Sequence, residues 1–441
     1  MRPDPPARFT SRLPGRESHS RGVNVVSSRR AVGALLTVAL LLVAAVTALG
    51  RDHTGRTTIT VRLWDPEVAI AYEESFKEFA KSHPGIELRT NVVPYAGYFD
   101  TLRTDVAGGG ADDIFWINNA HFAEYADNAR LMPIDPAADW DPSVMAQFTR
   151  NNTLWGVPQL TDAGIALYYN ADLLAADGID TTTLDNLTWN PDPAQDTLRP
   201  LLKRLTHGRQ WGYNAANDIQ AIYLNYIGSA GGTFADNDRF AFDNPAAATA
   251  FTYLVDLINT DQVSPPASDT NDNGDFSRNQ FLSGRMALFQ SGTYNLAQIA
   301  DQAGFHWGVA MLPAGPAGRV SVTNGIVAAG NAASKNSTAT REVLAWLGST
   351  QGNEFVGRRG AAIPANLPAQ KVYFDYWNTR GVDVTPFFAA LERRIPAPGG
   401  AGFAAGYQAL TPYFDEMFLG RTPVVQALSQ AQRAANAAAD N

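Results

Sequence analysis

The first clear pattern of hydrophobic and polar positions predicts a strand, a helix and a second strand. Alternate apolar residues from Ile59 to Leu63 have the two-residue period of a strand, which Pro66 ends. Apolar residues at roughly helical spacing continue as far as Pro84, and residues 86–93 again have strand character. This order predicts a βαβ unit.

A short apolar run, Ile114 to Ile117, follows three glycines and has no polar interruption. Such a run is typical of a strand in a parallel sheet that is covered on both faces. Asn118 and Asn119 come directly after it and carry side-chain amides. Because open α/β sheets bind ligands at the carboxyl ends of their strands, the pair predicts a site for a polar, uncharged group.

The rest of the chain continues to alternate between helical and extended patterns. The predicted elements are a polar crossing segment at 158–162, a strand at 165–169 leading to a helix, a long loop at 180–200, a helix through Leu205, an aromatic helix and a short strand pair within 211–242, a helix at 245–259 and a loop at 269–275. With 441 residues, this α/β chain is expected to form two lobes.

Composition narrows the kinds of chemistry that the chain can perform. Nine Trp, fifteen Tyr and twenty-two Phe residues fill a core and leave aromatic rings for a binding surface. The sequence has no cysteine, which excludes disulfides, thiolate metal sites, a cysteine nucleophile and a lipid-modified cysteine anchor.

The amino-terminal segment has the pattern of an export signal or a membrane anchor. Residues 1–30 carry seven Arg against two acidic residues, and an apolar run of nineteen residues follows from Ala31 to Leu49. We interpret 1–30 as a basic cytoplasmic or signal region and 31–50 as a transmembrane anchor or a signal peptide. By the positive-inside rule, the remainder is periplasmic or in the cell envelope, either anchored to the cytoplasmic membrane or secreted.

The exported part is acidic. Without residues 1–30, 27 Lys and Arg residues face 41 Asp and Glu residues, a formal charge of −14. Binding to nucleic acid relies on basic patches, so a nucleic-acid partner is not expected. The acidity otherwise serves solubility.

Known catalytic and metal-binding motifs are missing from the sequence. The segment DTNDNGD at 269–275 resembles a calcium loop, but Gln280 stands where the bidentate Glu belongs. Neither H-E-x-x-H nor G-x-S-x-G occurs. We therefore predict no metal, no cofactor and no enzymatic activity.

Ten segments in a fixed order carry a family resemblance from about Thr57 to the end of the chain. They are HPGI, GGGADDIFW, ARLMPID, WGVP, YYNADLLAADGI, SAGGTF, FSRNQFLSGRMALFQSGTYN, GVAMLPAGPAGR, VTNGIVAAGNAASKNSTATREVLAWL and FLGRTPVVQALSQAQ. Together they resemble the extracellular solute-binding proteins of ABC importers, in the branch that binds maltose, other oligosaccharides and glycerol phosphates.

The resemblance implies an α/β fold of the two-lobed periplasmic-binding-protein kind, type II-like, with the ligand cleft between the lobes. Both lobes are discontinuous in sequence. Lobe 1 is expected to comprise 57–160 and 309–350, and lobe 2 is expected to comprise 161–308 and 351–441. Closure of a hinge around the ligand is a known motion of such proteins.

The resemblance also implies ligand contacts. Trp116 with Asn118 and Asn119 is similar to the family's first-lobe sugar contact, and Asp162 to its carboxylate at the crossover. Tyr294, following Gly292, stands where relatives place an aromatic platform. Pyranose rings have apolar faces that stack on aromatic rings and hydroxyl edges that need amide and carboxylate partners.

The residue pattern itself adds further candidates. Two alternatives stay open for several of them: Trp64 belongs to the core or to the site, Asn217 or Asp218 caps a helix or faces the cleft, and Asn324 contacts the ligand or makes a turn with Gly325. The predicted ligand-binding set is Trp64, Asp65, Glu67, Tyr98, Trp116, Asn118, Asn119, Asp162, Asn217, Asp218, Gly292, Tyr294, Thr323 and Asn324.

We predict that the protein captures a sugar, which is either an oligosaccharide or an amino sugar, and delivers it to the permease subunits of an ABC importer. The protein is expected to act as a monomer. Four of the candidates, Asp65, Glu67, Asp162 and Asp218, favour a ligand with a cationic group, such as an amino sugar or a choline head. The alternatives are a glycerophosphodiester-binding protein, an exported glycoside hydrolase that uses two carboxylates, and a sensor or adhesion module. Arg358 and Arg359 are expected at the surface.

Overall fold

The computed structural model describes residues 55–161, 164–236 and 238–440. The predicted signal or anchor regions, 1–30 and 31–50, lie outside these residues, and so does Asp162. Within these ranges, the helices are all too short or too polar to cross a membrane.

The strands and helices alternate along most of the chain, as the pattern predicts. The strands are β1 (Thr57–Leu63), β2 (Ile86–Val92), β3 (Ile114–Asn118), β4 (Thr149–Arg150), β5 (Thr153–Leu154), β6 (Val157–Thr161), β7 (Ala166–Asn170), β8 (Ala235–Asp236), β9 (Arg239–Phe240), β10 (Leu288–Ser291), β11 (Trp307–Ala310), β12 (Ser321–Thr323), β13 (Gly325–Gly330) and β14 (Arg394–Pro396). The α-helices are α1 (Pro66–Ser82), α2 (Tyr95–Gly108), α3 (Asn119–Asp127), α4 (Pro142–Gln147), α5 (Ala171–Ala176), α6 (Leu198–Leu205), α7 (Leu224–Ser229), α8 (Pro245–Asn259), α9 (Ala267–Thr270), α10 (Phe276–Leu282), α11 (Leu296–Gln302), α12 (Ser337–Gly348), α13 (Thr350–Arg358), α14 (Lys371–Thr379), α15 (Thr385–Ala389), α16 (Phe403–Phe418) and α17 (Val424–Ala439), with one π-helical turn (Ile219–Tyr223) and short 3-10 turns at Thr181–Asn186, Thr293–Asn295, Pro368–Gln370 and Ala390–Arg393.

The first lobe is built around a five-stranded sheet in the order β2-β1-β3-β13-β6. β1 pairs in parallel with both β2 and β3, which confirms the predicted βαβ unit. The prediction that β3 is a covered strand of a parallel sheet holds on the side of β1, but on its other side β13 runs antiparallel to β3 and to β6. The physical reason is that β13 is not part of a βαβ crossover: it enters directly after the extended segment β12, so no helix reverses the chain before it.

The interior of the first lobe explains why the apolar run of β3 has no polar interruption. Ile114 to Ile117 are all completely buried and belong to one core cluster with Val61 of β1 and Val327 of β13. Helices α1, α2 and α12 contribute to the same cluster. A strand whose two faces are both covered has no position for a solvated side chain.

The second lobe contains the antiparallel sheet β10-β7-β11 and two further core clusters. The larger cluster includes Trp189, Tyr223 and Phe414, and the smaller one includes Tyr168 and Trp377. The predicted helix at 245–259 is confirmed as α8, and the predicted short strand pair as β8 and β9. Part of the predicted loop at 269–275 is helical instead, since α9 extends to Thr270.

The chain passes from the first sheet to the second between Thr161 and Ala166. The segment predicted to cross, 158–162, is mostly the buried strand β6, and the crossing follows it. Its polar residue Gln159 is fully buried, but the side chain accepts a hydrogen bond of 2.6 Å from the Tyr72 hydroxyl. Because the Gln159 amide has hydrogen-bond partners, it can lie in the core, so the polarity of this segment did not indicate exposure. The exact lobe boundaries remain predictions.

Candidate functional site

The carboxyl edge of the first sheet brings together segments that are distant in sequence. Because Arg62 is in register with Phe115, the loops after β1 and β3 begin side by side. Antiparallel β13 starts at the same edge, since Ile326 pairs with Asn118 and Gly325 with Thr161. The predicted residues Trp64, Asp65, Asn118, Asn119, Thr323 and Asn324 therefore lie at or next to one edge.

Trp64 and Tyr95 form the aromatic surface of this edge. The Trp64 ring is half-buried and meets the Tyr95 ring edge-on, with 5.5 Å between centroids. Tyr95 is 56% exposed, although it carries a large ring. It is the first residue of α2 and follows β2, so it occupies a strand-to-helix connection like those of Trp64 and Asn118. Sequence analysis selected Tyr98 from this helix and missed Tyr95; the Pro94 that precedes it, at the boundary of β2 and α2, was the available signal.

Trp116 and Tyr98, two of the predicted ligand residues, lie behind this surface. Both are 0% exposed. The Trp116 indole donates a hydrogen bond of 3.0 Å to the Tyr72 hydroxyl, and the Tyr98 hydroxyl donates one of 2.9 Å to the Trp116 carbonyl. Both rings pack edge-on against Trp64, at 5.0 and 4.9 Å. In this structure neither residue has surface for a ligand. Both pack behind Trp64, whose ring is partly exposed.

A chain of polar contacts connects α3 to the aromatic surface. His121 Nδ1 lies 2.9 Å from Asn118 Oδ1, and Asn118 Nδ2 donates a hydrogen bond of 3.3 Å to the Tyr95 hydroxyl. Asn119 points elsewhere and donates a hydrogen bond of 2.5 Å to the carbonyl of Ala397, just after β14. The two asparagines that the sequence treats as a pair thus have different partners.

Two aspartates, Asp65 in the first lobe and Asp218 in the second, begin helices. Asp65 caps α1 by accepting hydrogen bonds from the amides of Glu67 (2.8 Å) and Val68 (3.1 Å), and Asp218 caps the π-helical turn by accepting one from Ala221 (2.7 Å). The predicted cap at Asp218 is confirmed. Burial raises the pKa of both carboxyl groups, while the cap hydrogen bonds lower it.

Electrostatic coupling indicates that Asp218 lies near Tyr95. Although Tyr95 is 56% exposed as a whole, protein atoms surround its hydroxyl, and this burial is the largest cause of its raised pKa; the charge of Asp218 contributes in the same direction. Charges influence a pKa in this way only over short distances. Asp218 and Tyr407 of the second lobe therefore lie near the aromatic surface of the first.

Tyr407 and Asp415 of α16 lie beside Asp218 and Asn217. We call these residues the second wall, and we call Trp64, Tyr95 and the Asn118 behind them the first wall. Tyr407 accepts a hydrogen bond of 3.3 Å from the Tyr223 hydroxyl, and its pKa is raised to about 12, first by burial. Asp415 accepts one of 2.9 Å from Asn217 Nδ2, and burial raises its pKa. No sequence motif marks either residue, because Asp415 lies 198 residues after its partner Asn217, and both residues reach this region only through tertiary packing.

The other predicted residues have mixed environments. Glu67 is exposed in the first turn of α1. Asn324 accepts a hydrogen bond of 2.9 Å from the Gly325 amide, which is the turn-forming alternative, and the Thr323 carbonyl accepts one of 2.8 Å from the Ala397 amide. Tyr294 is 45% exposed.

Gly292 and Tyr294 lie at the end of the second sheet nearest the crossing. β10 ends at Ser291, which pairs with Ala166 at the start of β7. A side chain at Gly292 would clash with the Tyr294 ring, only 2.3 Å from a hypothetical Cβ, so this glycine permits the position of the ring. Gly292 and Tyr294 therefore lie near the start of β7, where the chain enters the second lobe.

Positive charge near the first wall is already neutralised. The buried Arg62 forms ion pairs with Asp112 at 2.6 Å and with Asp105 at 2.5 Å. Arg358 and Arg359, whose positions the sequence left open, pair with Glu354 (2.5 Å) and Glu74 (3.1 Å). Within the described ranges, His, Asp and Glu side chains form no group that could hold a metal ion.

Comparisons with known proteins give a family match and several similar structures. The family described as bacterial extracellular solute-binding protein matches residues 65–354. The crystal structure of UspC from M. tuberculosis has 68% sequence identity and a TM-score of 0.72, covering 86% of this chain and 100% of that one.

More distant proteins share the same fold. The ABC substrate-binding protein Lmo0181 from Listeria monocytogenes, solved in complex with cycloalternan, has 19% identity and a TM-score of 0.77, covering 87% of this chain and 98% of that one. A putative binding protein of Brucella abortus is 23% identical over 383 residues, which are 83% of this chain and 89% of the relative. The predicted two-lobed α/β fold is confirmed by these similarities.

Proposed function

Because the chain belongs to the bacterial extracellular solute-binding protein family, we propose that it captures a sugar outside the cytoplasmic membrane and delivers it to an ABC permease. The ligand binds between the two lobes, which close around it. Similarity to an ABC substrate-binding protein solved with an oligosaccharide supports the substrate class and the transport system.

The observation that carries the proposal is the pairing of two unlike walls. The first presents the rings of Trp64 and Tyr95, and the buried amide of Asn118 donates a hydrogen bond to the Tyr95 hydroxyl. The second presents carboxylates at Asp218 and Asp415. A pyranose needs both, since its apolar faces stack on aromatic rings and its hydroxyl edges form hydrogen bonds with amides and carboxylates.

Within the sugars, we propose a ligand with a cationic group, such as an amino sugar. Asp65, Asp218 and Asp415 are half-buried carboxyl groups whose pKa values are raised chiefly by burial, so their charge is costly without a partner. Arg62, the buried cation of the first wall, is already paired. A bound ammonium would offset this cost. A phosphate would be repelled, which disfavours glycerol phosphates.

Isothermal titration calorimetry with D-glucosamine, D-glucose, maltose and glycerophosphocholine tests the proposal. We expect D-glucosamine to bind most tightly, with micromolar affinity, about −8 kcal/mol. The matched variant is Asp218→Asn, which keeps a capping side chain while removing the charge.

Each alternative outcome has a distinct meaning. Equal affinity for glucose and glucosamine would remove the cationic preference, and the absence of binding by any sugar would overturn sugar capture. Release of glucose from maltose during the incubation would replace the binding function with hydrolysis.

We further propose that the apolar run at 31–49 holds the protein at the cytoplasmic membrane or directs its export, and that the protein acts as a monomer. Sequence pattern supports the first statement, since nineteen apolar residues follow a basic segment. Fractionation of cells expressing the full chain and a chain without residues 1–50 tests it. Recovery of both in the cytoplasm would contradict it.

A further inference from the structure

The polar chain behind Tyr95 has an unusual feature at its centre. Asn118 is the residue immediately before α3, the position where an asparagine side chain normally accepts a hydrogen bond from a backbone amide of the first helical turn. Here the side chain makes no such cap bond. Its oxygen instead lies 2.9 Å from Nδ1 of His121, three residues later on the same helix. Asn118 therefore contacts a side chain, His121, in place of the backbone amides that it could cap.

We propose that His121 is a positioning residue that, through Asn118, turns the Tyr95 hydroxyl into a hydrogen-bond donor directed into the ligand cleft. This inference rests on the proposed function, because it assigns a role at the same binding site. We call the three residues the His121–Asn118–Tyr95 relay.

The direction of the relay follows from counting donors and acceptors. A proton on His121 Nδ1 requires the oxygen of the Asn118 amide to face the imidazole. The NH₂ group of that amide must then face Tyr95, and it donates to the phenolic oxygen at 3.3 Å. Because the phenolic oxygen is already an acceptor toward Asn118, its own proton is free for a partner in the cleft.

Without the imidazole, nothing else in the relay fixes the Asn118 amide. A rotated amide would accept the Tyr95 proton, and the hydroxyl would then offer the cleft only an acceptor. The ring oxygen of a sugar and the carboxylate of Asp218 can only accept, so either can bond to Tyr95 only when its hydroxyl donates. The orientation of one amide thus decides which kind of partner Tyr95 can serve.

The environment of His121 holds the ring in place and uncharged. The imidazole stacks on the Phe99 ring with 3.6 Å between centroids and 4° between planes. Phe99 in turn contacts the Tyr95 ring edge-on at 5.9 Å. Burial, assisted by the positive charge of Arg103 and opposed by Asp100, lowers the pKa of His121 to about 4. At neutral pH the ring therefore carries a single proton, whose position is set by its hydrogen-bond partner.

The tautomer of His121 is the first test, and it needs no ligand. Nitrogen-15 NMR of the histidine-labelled protein at pH 7, with the resonance assigned by its loss in His121→Phe, should show the proton on Nδ1. In Asn118→Ala, which removes the acceptor, the Nδ1-protonated form should lose population. A proton on Nε2 in the unmodified protein would overturn the proposed direction.

A double-mutant cycle for D-glucosamine binding is the second test. His121→Phe keeps a ring to stack on Phe99 but cannot donate, and we expect an affinity loss of about fivefold, the size of one hydrogen bond. Tyr95→Phe removes the hydroxyl that the relay serves. If the relay acts through this hydroxyl, the double variant should bind no more weakly than Tyr95→Phe. Additive losses would overturn the proposal.

The matched control is His83→Phe. His83 also stacks on a phenylalanine, Phe79, with 4.0 Å between centroids, but it ends α1 at the far end from Asp65. Its replacement should leave glucosamine affinity unchanged. If the unmodified protein binds no glucosamine, the proposed amino-sugar function fails, while the tautomer measurement still decides whether the relay has the direction that we infer.

Discussion

The two walls of the cleft differ in how they are built. The first wall consists of residues that directly follow strands of one sheet, and its side chains contact one another: Trp64 with Tyr95, and Tyr95 with Asn118. The second wall joins Asp218, before a helical turn, to Asp415, near the carboxyl end of the chain. The first wall is fixed by strand register, whereas the second depends on the packing of α16 against distant elements.

This difference has a functional counterpart. The first wall offers aromatic rings and the Tyr95 hydroxyl, which would recognise the shape and hydroxyl groups of a pyranose. The second offers carboxylates whose pKa values are raised by burial. We therefore infer that the first wall supplies most of the affinity and the second most of the preference for charge. The variants below separate these two contributions.

Replacing Trp64 should have the largest effect. Trp64→Ala removes the ring face that stacks on the sugar and loosens Tyr95 beside it, so glucosamine and glucose affinity should both fall by roughly 30-fold to 100-fold, about 2–3 kcal/mol. Calorimetry measures the affinities. Thermal unfolding is the control, because the half-buried ring also packs on Trp116. An affinity loss confined to glucosamine would contradict the assignment of shape recognition to this wall.

Asp218→Asn should distinguish the walls most sharply. The asparagine retains the helix cap, so folding should be nearly unchanged. The loss of charge should weaken glucosamine binding by roughly 10-fold to 30-fold, the range of a hydrogen bond to a charged group. Glucose affinity should change much less. Parallel titrations of both sugars measure the ratio, and an equal loss for both would mean that Asp218 does not read the charge.

Tyr294→Ala should weaken sugar binding by about tenfold without unfolding the protein, about 1.4 kcal/mol. The ring is 45% exposed at the end of the second sheet nearest the crossing, so little core packing is lost. Titration and thermal unfolding of the same sample check both statements. Unchanged affinity would remove Tyr294 from the site and leave the aromatic contacts to the first wall.

The contrast between the walls also explains how much the sequence could predict. Trp64, Asp65 and Asn118 were found because strand ends meet at one edge of an α/β sheet, a rule that uses only local pattern. Tyr95 obeys the same rule but was passed over for Tyr98, one helical turn later, which is buried. Periodicity locates an element better than it locates the one residue that faces the cleft.

Other features depended on information that the sequence does not contain. Trp116 looked available at a strand end, but its own strand is covered on both faces. Tyr407 and Asp415 reach the cleft through the packing of α16, and His121 acquires its role from a side-chain contact with Asn118. The order of elements and the family were predictable, whereas contacts between distant segments required the folded structure.

Acidification should distinguish the walls through the free energy of unfolding and not through affinity. His121 has a folded pKa of about 4, below its unfolded value of 6.5, so between these values the unfolded chain binds the extra proton. The contribution of His121 to the free energy of unfolding is therefore complete above pH 6.5 and is lost as pH falls toward 4.

For Asp218 the sign is opposite: its raised folded pKa costs stability as pH rises through and above its usual range near 3.8. Urea unfolding at pH 7 and pH 5 should show a pH-dependent loss that is smaller by about 2 kcal/mol in His121→Phe than in the unmodified protein. Asp218→Asn should not reduce that loss, because Asp218 and His121 respond to pH with opposite signs. Equal losses in His121→Phe and the unmodified protein would mean that the imidazole of the first wall is protonated in the folded protein as readily as in the unfolded chain.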